Sequence, residues 1–263
     1  METINILWTG GLDSTFRMCE LSRASVCIQP YYLIDQGRNS VTFELRAMNR
    51  ITKILREHPR TKATINDVKT IPVKSLKRND TISKAQKYLT DKYKLGGQYE
   101  FLAKFTKEYG LKLEVGLESS IRSKASNALR GEADLALRCY ATSLPTDDWG
   151  GYLELNPAAS NKEIFEIFEN LRMPSHLFSI EKLEEVELMK EWDLEKAMKS
   201  TWFCHHPVLG FPCGHCNPCK DALNEGLAWR VPLKGRILGT VRRGLHIPIA
   251  ITRKALKFIS RQK

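Results

Sequence analysis

The run Thr9-Gly10-Gly11-Leu12-Asp13-Ser14-Thr15 has the residue types and order of an anion cradle. The apolar stretch Ile4–Trp8 before it predicts a buried strand, and Phe16, Met18, Cys19 and Leu21 after it predict a helix. Between a strand and a helix, Gly10 and Gly11 would make a turn whose backbone comes close to a ligand, and the free N–H groups of the helix start would point at an anion. Thr9, Ser14 and Thr15 add hydroxyl donors. The run lacks the lysine of a Walker A loop and the third glycine of a dinucleotide fingerprint. An ordinary glycine turn capped by Asp13 and Ser14 is the plainer alternative.

A second set is Cys204, Cys213, Cys216 and Cys219, spaced C-x8-C-x2-C-x2-C. Thiolates two residues apart grip one ion from a tight turn, and four of them close a tetrahedron, which points to structural zinc. An iron–sulfur cluster would use the same four ligands. His205, His206 and His215 are read as spectators, because the cysteines already fill the shell. Cys19, Cys27 and Cys139 are expected as buried free thiols.

The elements that must hold these sets alternate. Strands are expected at Ile4–Trp8, Cys27–Ile34, Val68–Val73 and Lys112–Gly116. Helices are expected near Ser14–Arg23, Val41–Arg56, Gln98–Tyr109, Asn161–Leu171 and Ile180–Glu191. Residues 117–147 read as an irregular polar insertion, either a flap or a solvated loop. The fold class is therefore α/β: a doubly wound, mostly parallel sheet, followed by a C-terminal helical subdomain with a four-cysteine zinc site. Ligands of such sheets bind beyond the carboxyl ends of the strands, where the glycine loop would sit. The expected division is an α/β domain carrying the anion cradle over 1–175, a helical zinc-binding part over 176–229 and a basic arm over 230–263.

Composition narrows the class. The chain has 263 residues, 42% of them hydrophobic, enough for a sizeable core without disulfides. Seven cysteines, an odd number with four clustered, favour reduced thiols and a metal in a cytoplasmic protein. No apolar run is long enough to span a bilayer, so no membrane partner is expected. Of the net charge of +11, ten Lys or Arg lie in residues 230–263 with no Asp or Glu, leaving a nearly neutral body. Ile247, Ile249 and Ile251 alternate like a strand, and Ala255, Leu256, Phe258 and Ile259 line one side of a short helix. The arm is expected to dock on an acidic protein or a nucleic acid, or to pack back on the chain itself.

The glycine run resembles the S-G-G-x-D-S loop of the PP-loop ATP pyrophosphatases, with Thr9 in place of the first serine. With the cysteine set, the chain resembles QueC, the 7-cyano-7-deazaguanine synthase family. Ile34-Asp35-Gln36-Gly37-Arg38 and Phe43-Glu44-Leu45 are similar to its Y-G-Q-R-H and E-L segments. Asp148-Trp149-Gly150-Gly151-Tyr152-Leu153-Glu154-Leu155-Asn156-Pro157 is similar to D-Y-S-G-Y-P-D-C-R-P. Glu181-Lys182-Leu183-Glu184-Glu185-Val186 is similar to S-K-x-E-I-V, and Thr201-Trp202-Phe203-Cys204 to T-W-S-C. The resemblance covers residues 1 to about 225.

This resemblance implies a PP-loop, adenine-nucleotide-hydrolase-like fold and a homodimer. It implies an AMP- and pyrophosphate-forming ligase that uses ATP, Mg2+ and Zn2+. Its substrate would be 7-carboxy-7-deazaguanine, adenylated on the carboxylate and captured by ammonia or another amine to give an amide, with a second ATP for onward dehydration to a nitrile. Thr9, Gly10, Gly11, Leu12, Asp13, Ser14 and Thr15 would hold the nucleotide. Asp13, Ser14 and Lys182 would act in catalysis, Lys182 at the α-phosphate or otherwise as a solvated lysine. Gln36, Arg38, Trp149, Gly151, Tyr152 and Glu154 would hold the deazaguanine. The aromatics would serve as platforms and Glu154 as an acceptor for the ring edge.

Departures point to a paralogue. Leu95-Gly96-Gly97-Gln98-Tyr99 stands where the family has V-P-A-R-N, and Asn156 replaces an arginine. Some QueC-like proteins of anti-phage systems join the deazapurine to an amine of a partner protein. The alternatives are an ordinary synthase of queuosine biosynthesis, a degenerate nucleotide-binding adaptor, and a nucleic-acid-modifying enzyme that uses the arm for contact.

Overall fold

The computed structural model describes residues 1–35, 37–117, 123–140 and 151–244. Strand β1 (Thr3–Leu7) leads through the glycine loop into helix α1 (Leu12–Ser22). Strand β2 (Cys27–Ile34), helix α2 (Val41–Glu57) and short strands β3 (Thr64–Ile65) and β4 (Lys69–Pro72) follow. Then come α3 (Asp80–Tyr93), α4 (Gln98–Tyr109), β5 (Leu113–Glu114), α5 (Lys124–Glu132), β6 (Leu135–Cys139) and β7 (Gly151–Leu155). The last described elements are α6 (Lys162–Phe168), β8 (Leu171–Pro174), α7 (Ser175–Ser179), α8 (Lys182–Glu191), α9 (Glu195–Lys199), α10 (Asn217–Asn224) and α11 (Leu233–Gly244).

The eight described strands form one mixed, mostly parallel sheet in the order β3-β2-β1-β5-β8-β7-β6, with β4 also pairing β2. Among these strands only the β6–β7 and β7–β8 pairings are antiparallel. From β1 the chain winds outward through β2, β3 and β4, then returns to place β5 on the other side of β1. That reversal opens a crevice beyond the carboxyl ends of β1 and β5. The glycine loop leaves β1 at this point.

Alternate strand residues feed two cores. Ile4, Ile6, Trp8, Ile28 and Tyr32 belong to one, together with side chains of α1, α2, α8 and α9. Tyr31, Leu33, Leu113 and Val115 belong to the other, with side chains of α3, α4, α5 and α6. The period-two alternation of a strand buried on both faces accounts for this division.

Several elements differ from expectation. Residues 123–140, expected to be irregular, contain α5, whose first turn is capped by Ser123, and the edge strand β6. The helix expected to reach Leu171 ends at Phe168. Leu171 and Met173 are instead buried on β8, and Leu113 donates its N–H to the Asn170 carbonyl at 2.9 Å. Helix α3 was not expected; its buried face, Ile82, Ala85, Gln86 and Leu89, carries only two large apolar side chains. Cys139, expected buried, is exposed on β6. No described helix is long and apolar enough to cross a membrane.

Candidate nucleotide cavity and metal centre

The loop after β1 has a geometry that only part of its sequence explains. Gly10 sits at φ +70°, and a Cβ there would lie 3.2 Å from both the Glu44 carbonyl oxygen and Met48 Cγ on α2. Glycine is therefore required twice, for backbone conformation and for helix approach. Gly11 precedes α1, and no side chain caps the first turn. By contrast, Asn79 and Asn161 cap α3 and α6. The hydroxyl of Ser14 is buried and has no hydrogen-bond partner. Across the crevice, just beyond β5, is Gly116, where a Cβ would come within 3.7 Å of the Ser14 nitrogen. Thr15 is fully buried, and its Oγ1 accepts a 3.0 Å hydrogen bond from the Trp8 indole, so it braces the loop from beneath.

A cavity of about 320 Å³ opens beside this loop. Thr9, Gly11, Leu12 and Asp13 form one wall, and Arg38, Lys182 and Arg230 supply cationic groups. Trp202, Phe203 and His205, together with α10, close the far side. Arg38 is held by a 2.9 Å bond to Glu44, which also accepts from Ser40 and Tyr32. Lys182 pairs with Glu225 at 3.2 Å. Arg230 lies 4.2 Å over the Phe203 ring and donates to Thr201 Oγ1 at 2.9 Å. Burial pushes its guanidinium down to about 10, against the pull of Asp13, Glu185 and Glu225. Burial, reinforced by the Asp13 carboxylate, raises the Glu185 carboxyl well above the usual range. One Glu185 oxygen has no hydrogen-bond partner.

Beneath α1 lies a buried ionic network. Arg17 donates to both carboxylate oxygens of Glu114 at 2.9 and 2.8 Å, and also to Glu20 at 3.3 Å. Tyr140 donates to Glu114 at 2.7 Å, and the His176 ring lies 2.5 Å from Glu20. With Arg17 bonded to both carboxylates, the network ties the helix that carries the loop to β5.

The four cysteines converge. Their sulfur atoms all lie within 4.8 Å of one another, with Cys204–Cys216 at 3.8 Å and Cys213–Cys219 at 4.0 Å. A tetrahedral ion bound at about 2.3 Å would set neighbouring sulfurs about 3.8 Å apart. Backbone N–H groups point at the sulfurs, Cys213 to Cys204 at 3.2 Å and both His215 and Cys216 to Cys213 at 3.4 Å. Such donors stabilise thiolates, so this group can hold a metal such as zinc. Gly214, at φ +74°, makes the knuckle turn. The three histidines add no ligand to the group.

The expected deazaguanine residues are divided. Arg38 lines the cavity, whereas Gln36 and Trp149 lie outside the described residues. Gly151, Tyr152 and Glu154 lie on β7 and do not line the cavity. A Cβ on Gly151 would meet Ser175 Oγ at 2.6 Å. Tyr152 is buried against Tyr140, with the Arg172 guanidinium 4.3 Å over its ring. Glu154 pairs with Arg138 at 3.3 Å and approaches Arg172 at 3.9 Å. Sequence reasoning missed Arg230, which was counted with the arm, and also Glu185 and the Arg17–Glu114 pair. Arg17, Glu114 and Arg230 stand among mostly apolar neighbours in the sequence, whereas Glu185 lies in a charged run and carries no such signal. No protein-family model matches the chain, and neither does any curated protein.

Proposed function

We propose that this chain is a QueC-like, ATP-dependent ligase that adenylates a 7-carboxy-7-deazaguanine-type carboxylate and passes it to an amine. The observation that carries the nucleotide half is the uncapped start of α1, where Gly11, Leu12 and Asp13 wall a cavity into which Arg38, Lys182 and Arg230 also reach, among the carboxylates of Glu44, Asp221 and Glu225. Free N–H groups and a positive helix end bind a leaving pyrophosphate. The acyl half rests on the resemblance of the surrounding segments.

In this reading Gly11, Leu12, Asp13 and Ser14 cradle the β- and γ-phosphates, and Gly10 shapes the turn. Lys182 and Arg230 face the α-phosphate, where negative charge grows as the carboxylate attacks and the pyrophosphate bond breaks. Such catalysis consists mainly of alignment and charge stabilisation by groups already in place. Magnesium, when bound, screens phosphate charge, and Asp13 is the loop carboxylate on the cavity wall that would hold it. Zinc at the cysteines would be structural, because four sulfurs leave no open position.

The test is incubation with ATP, magnesium, 7-carboxy-7-deazaguanine and either ammonia or a protein amine, followed by pyrophosphate assay and mass spectrometry. Pyrophosphate and an amide are expected. A nitrile product would favour the ordinary synthase, and ADP with phosphate would overturn the reading.

A further inference from the structure

The first turn of α2 meets the candidate nucleotide cavity at three points. Phe43 stacks on Trp202 with ring centres 4.5 Å apart. The Glu44 carbonyl oxygen lies against Gly10, where a Cβ would come within 3.2 Å of it. Glu44 itself lines the cavity, and its carboxylate holds Arg38.

Three donors converge on that carboxylate. Arg38 Nη2 and Ser40 Oγ donate to Oε1 at 2.9 and 2.6 Å, and the Tyr32 hydroxyl donates to Oε2 at 2.5 Å. Burial, and then the bond to Glu44, raise the Tyr32 hydroxyl well above the usual tyrosine range, so it keeps its proton and remains a donor. The side chain of Glu44 is 3% exposed and that of Arg38 is 35% exposed. The acid is thus fixed inside, and the guanidinium is carried at the wall of the cavity that Thr9, Gly11, Leu12 and Asp13 also line. A half-exposed arginine gains little from an ion pair alone, and ordering its long side chain costs entropy. A carboxylate already locked by two other donors meets that cost before a ligand arrives, which prepares the guanidinium fork for an anion.

We propose that Glu44 is a positioning residue that aims the Arg38 guanidinium at the β- and γ-phosphates in the glycine loop, so that Arg38 grips the departing pyrophosphate. The inference rests on the nucleotide half of the ligase reading and deepens it. Lys182 and Arg230 serve the α-phosphate, and Arg38 serves the leaving group. A planar fork suits phosphate oxygens, to which it donates parallel N–H bonds. Charge alone predicts the opposite effect for Glu44. Removing a carboxylate from an anion site would tighten anion binding, whereas removing a positioning residue weakens it.

The test is calorimetric titration of the full chain with inorganic pyrophosphate and magnesium, with a thermal melt of each variant. Glu44→Gln keeps the side-chain shape but puts an NH2 group where two acceptor oxygens had served three donors. It should weaken pyrophosphate binding at least about tenfold, and Arg38→Met should do the same. The double variant should bind no more weakly than Arg38→Met, because both changes remove one contact. Ser40→Ala loosens the same carboxylate without altering charge and should weaken binding about threefold, which keeps the test open if Glu44→Gln does not fold. Equal or tighter binding by Glu44→Gln would overturn the proposal. So would additive losses in the double variant, unchanged binding by Ser40→Ala, or no pyrophosphate binding by wild type. The titration needs no acyl substrate, so a failed ligase assay leaves its result standing. Conversely, unchanged binding by Glu44→Gln leaves the ligase reading intact.

Discussion

The backbone N–H of Trp202 donates to the carbonyl of Gly10 at 2.7 Å. This bond joins the segment that enters the cysteine cluster to the turn of the candidate phosphate cradle. Trp202 is fixed in turn by a 2.9 Å bond from its indole to the Cys204 carbonyl and by stacking on Phe43 at 4.5 Å. The cysteine cluster and the glycine loop are therefore joined through Trp202.

Removing a sulfur ligand should accordingly be felt at the loop. Cys213→Ser should abolish stoichiometric zinc and lower the melting temperature by about 5–10 °C, because metal binding and local folding are linked. ATP affinity should fall with it, although no cysteine lines the cavity. Metal analysis, thermal melts and nucleotide titration check this; full zinc content in the variant would contradict it.

Ser14 and Thr15 are neighbours with opposite roles. Ser14→Ala removes a buried hydroxyl that has no partner, so denaturant stability should hold while pyrophosphate release falls. Thr15→Val strips the Trp8 indole of its acceptor and should cost about 1–3 kcal/mol. Urea titrations paired with pyrophosphate assays would separate the two roles.

Gly10→Ala places a side chain at φ +70° and 3.2 Å from α2. Strain of this kind costs about 1–3 kcal/mol. Gly97→Ala, where a Cβ meets nothing within 4 Å, is the matched control and should be nearly neutral. Chemical denaturation of both variants measures the difference.

Arg230→Lys should not preserve function. The guanidinium both lies over Phe203 and bonds Thr201, and a lysine cannot reproduce that planar fork. ATP binding should weaken by at least about tenfold, as for loss of a desolvated charged contact. Calorimetry on Arg230→Lys and Arg230→Met tests this.

Glu185 makes stability depend on pH. Its carboxyl is raised in the folded state, first by burial and then by Asp13, so the folded chain holds a proton that the unfolded chain releases. The contribution is complete below about 4.5, the ordinary glutamate value, and is lost as pH rises toward the folded value. Glu185→Gln should therefore be more stable than wild type at pH 8, with the gap narrowing as pH falls toward 5. Denaturation midpoints at the two pH values provide the check.

The amino-acid order by itself determined the local features. The turn at Gly10-Gly11, the α/β alternation and the metal-ligand spacing of the cysteines are properties of neighbouring residues, and periodicity reads them directly. It failed where a signal was weak or ambiguous: α3 has a thin apolar stripe, and Leu171 extends a helical pattern but pairs as a strand. Only the tertiary structure decided what converges on the loop. The return of the chain to place β5 beside β1 creates the crevice. The fold carries Lys182, Arg230 and Trp202 to the cavity from positions about 170 to 220 residues downstream of the loop. The same long-range packing buries Tyr152 and pairs Glu154 with arginines on β6 and β8. Local propensity carries no information about such contacts, because strand order and helix docking set them across the whole chain.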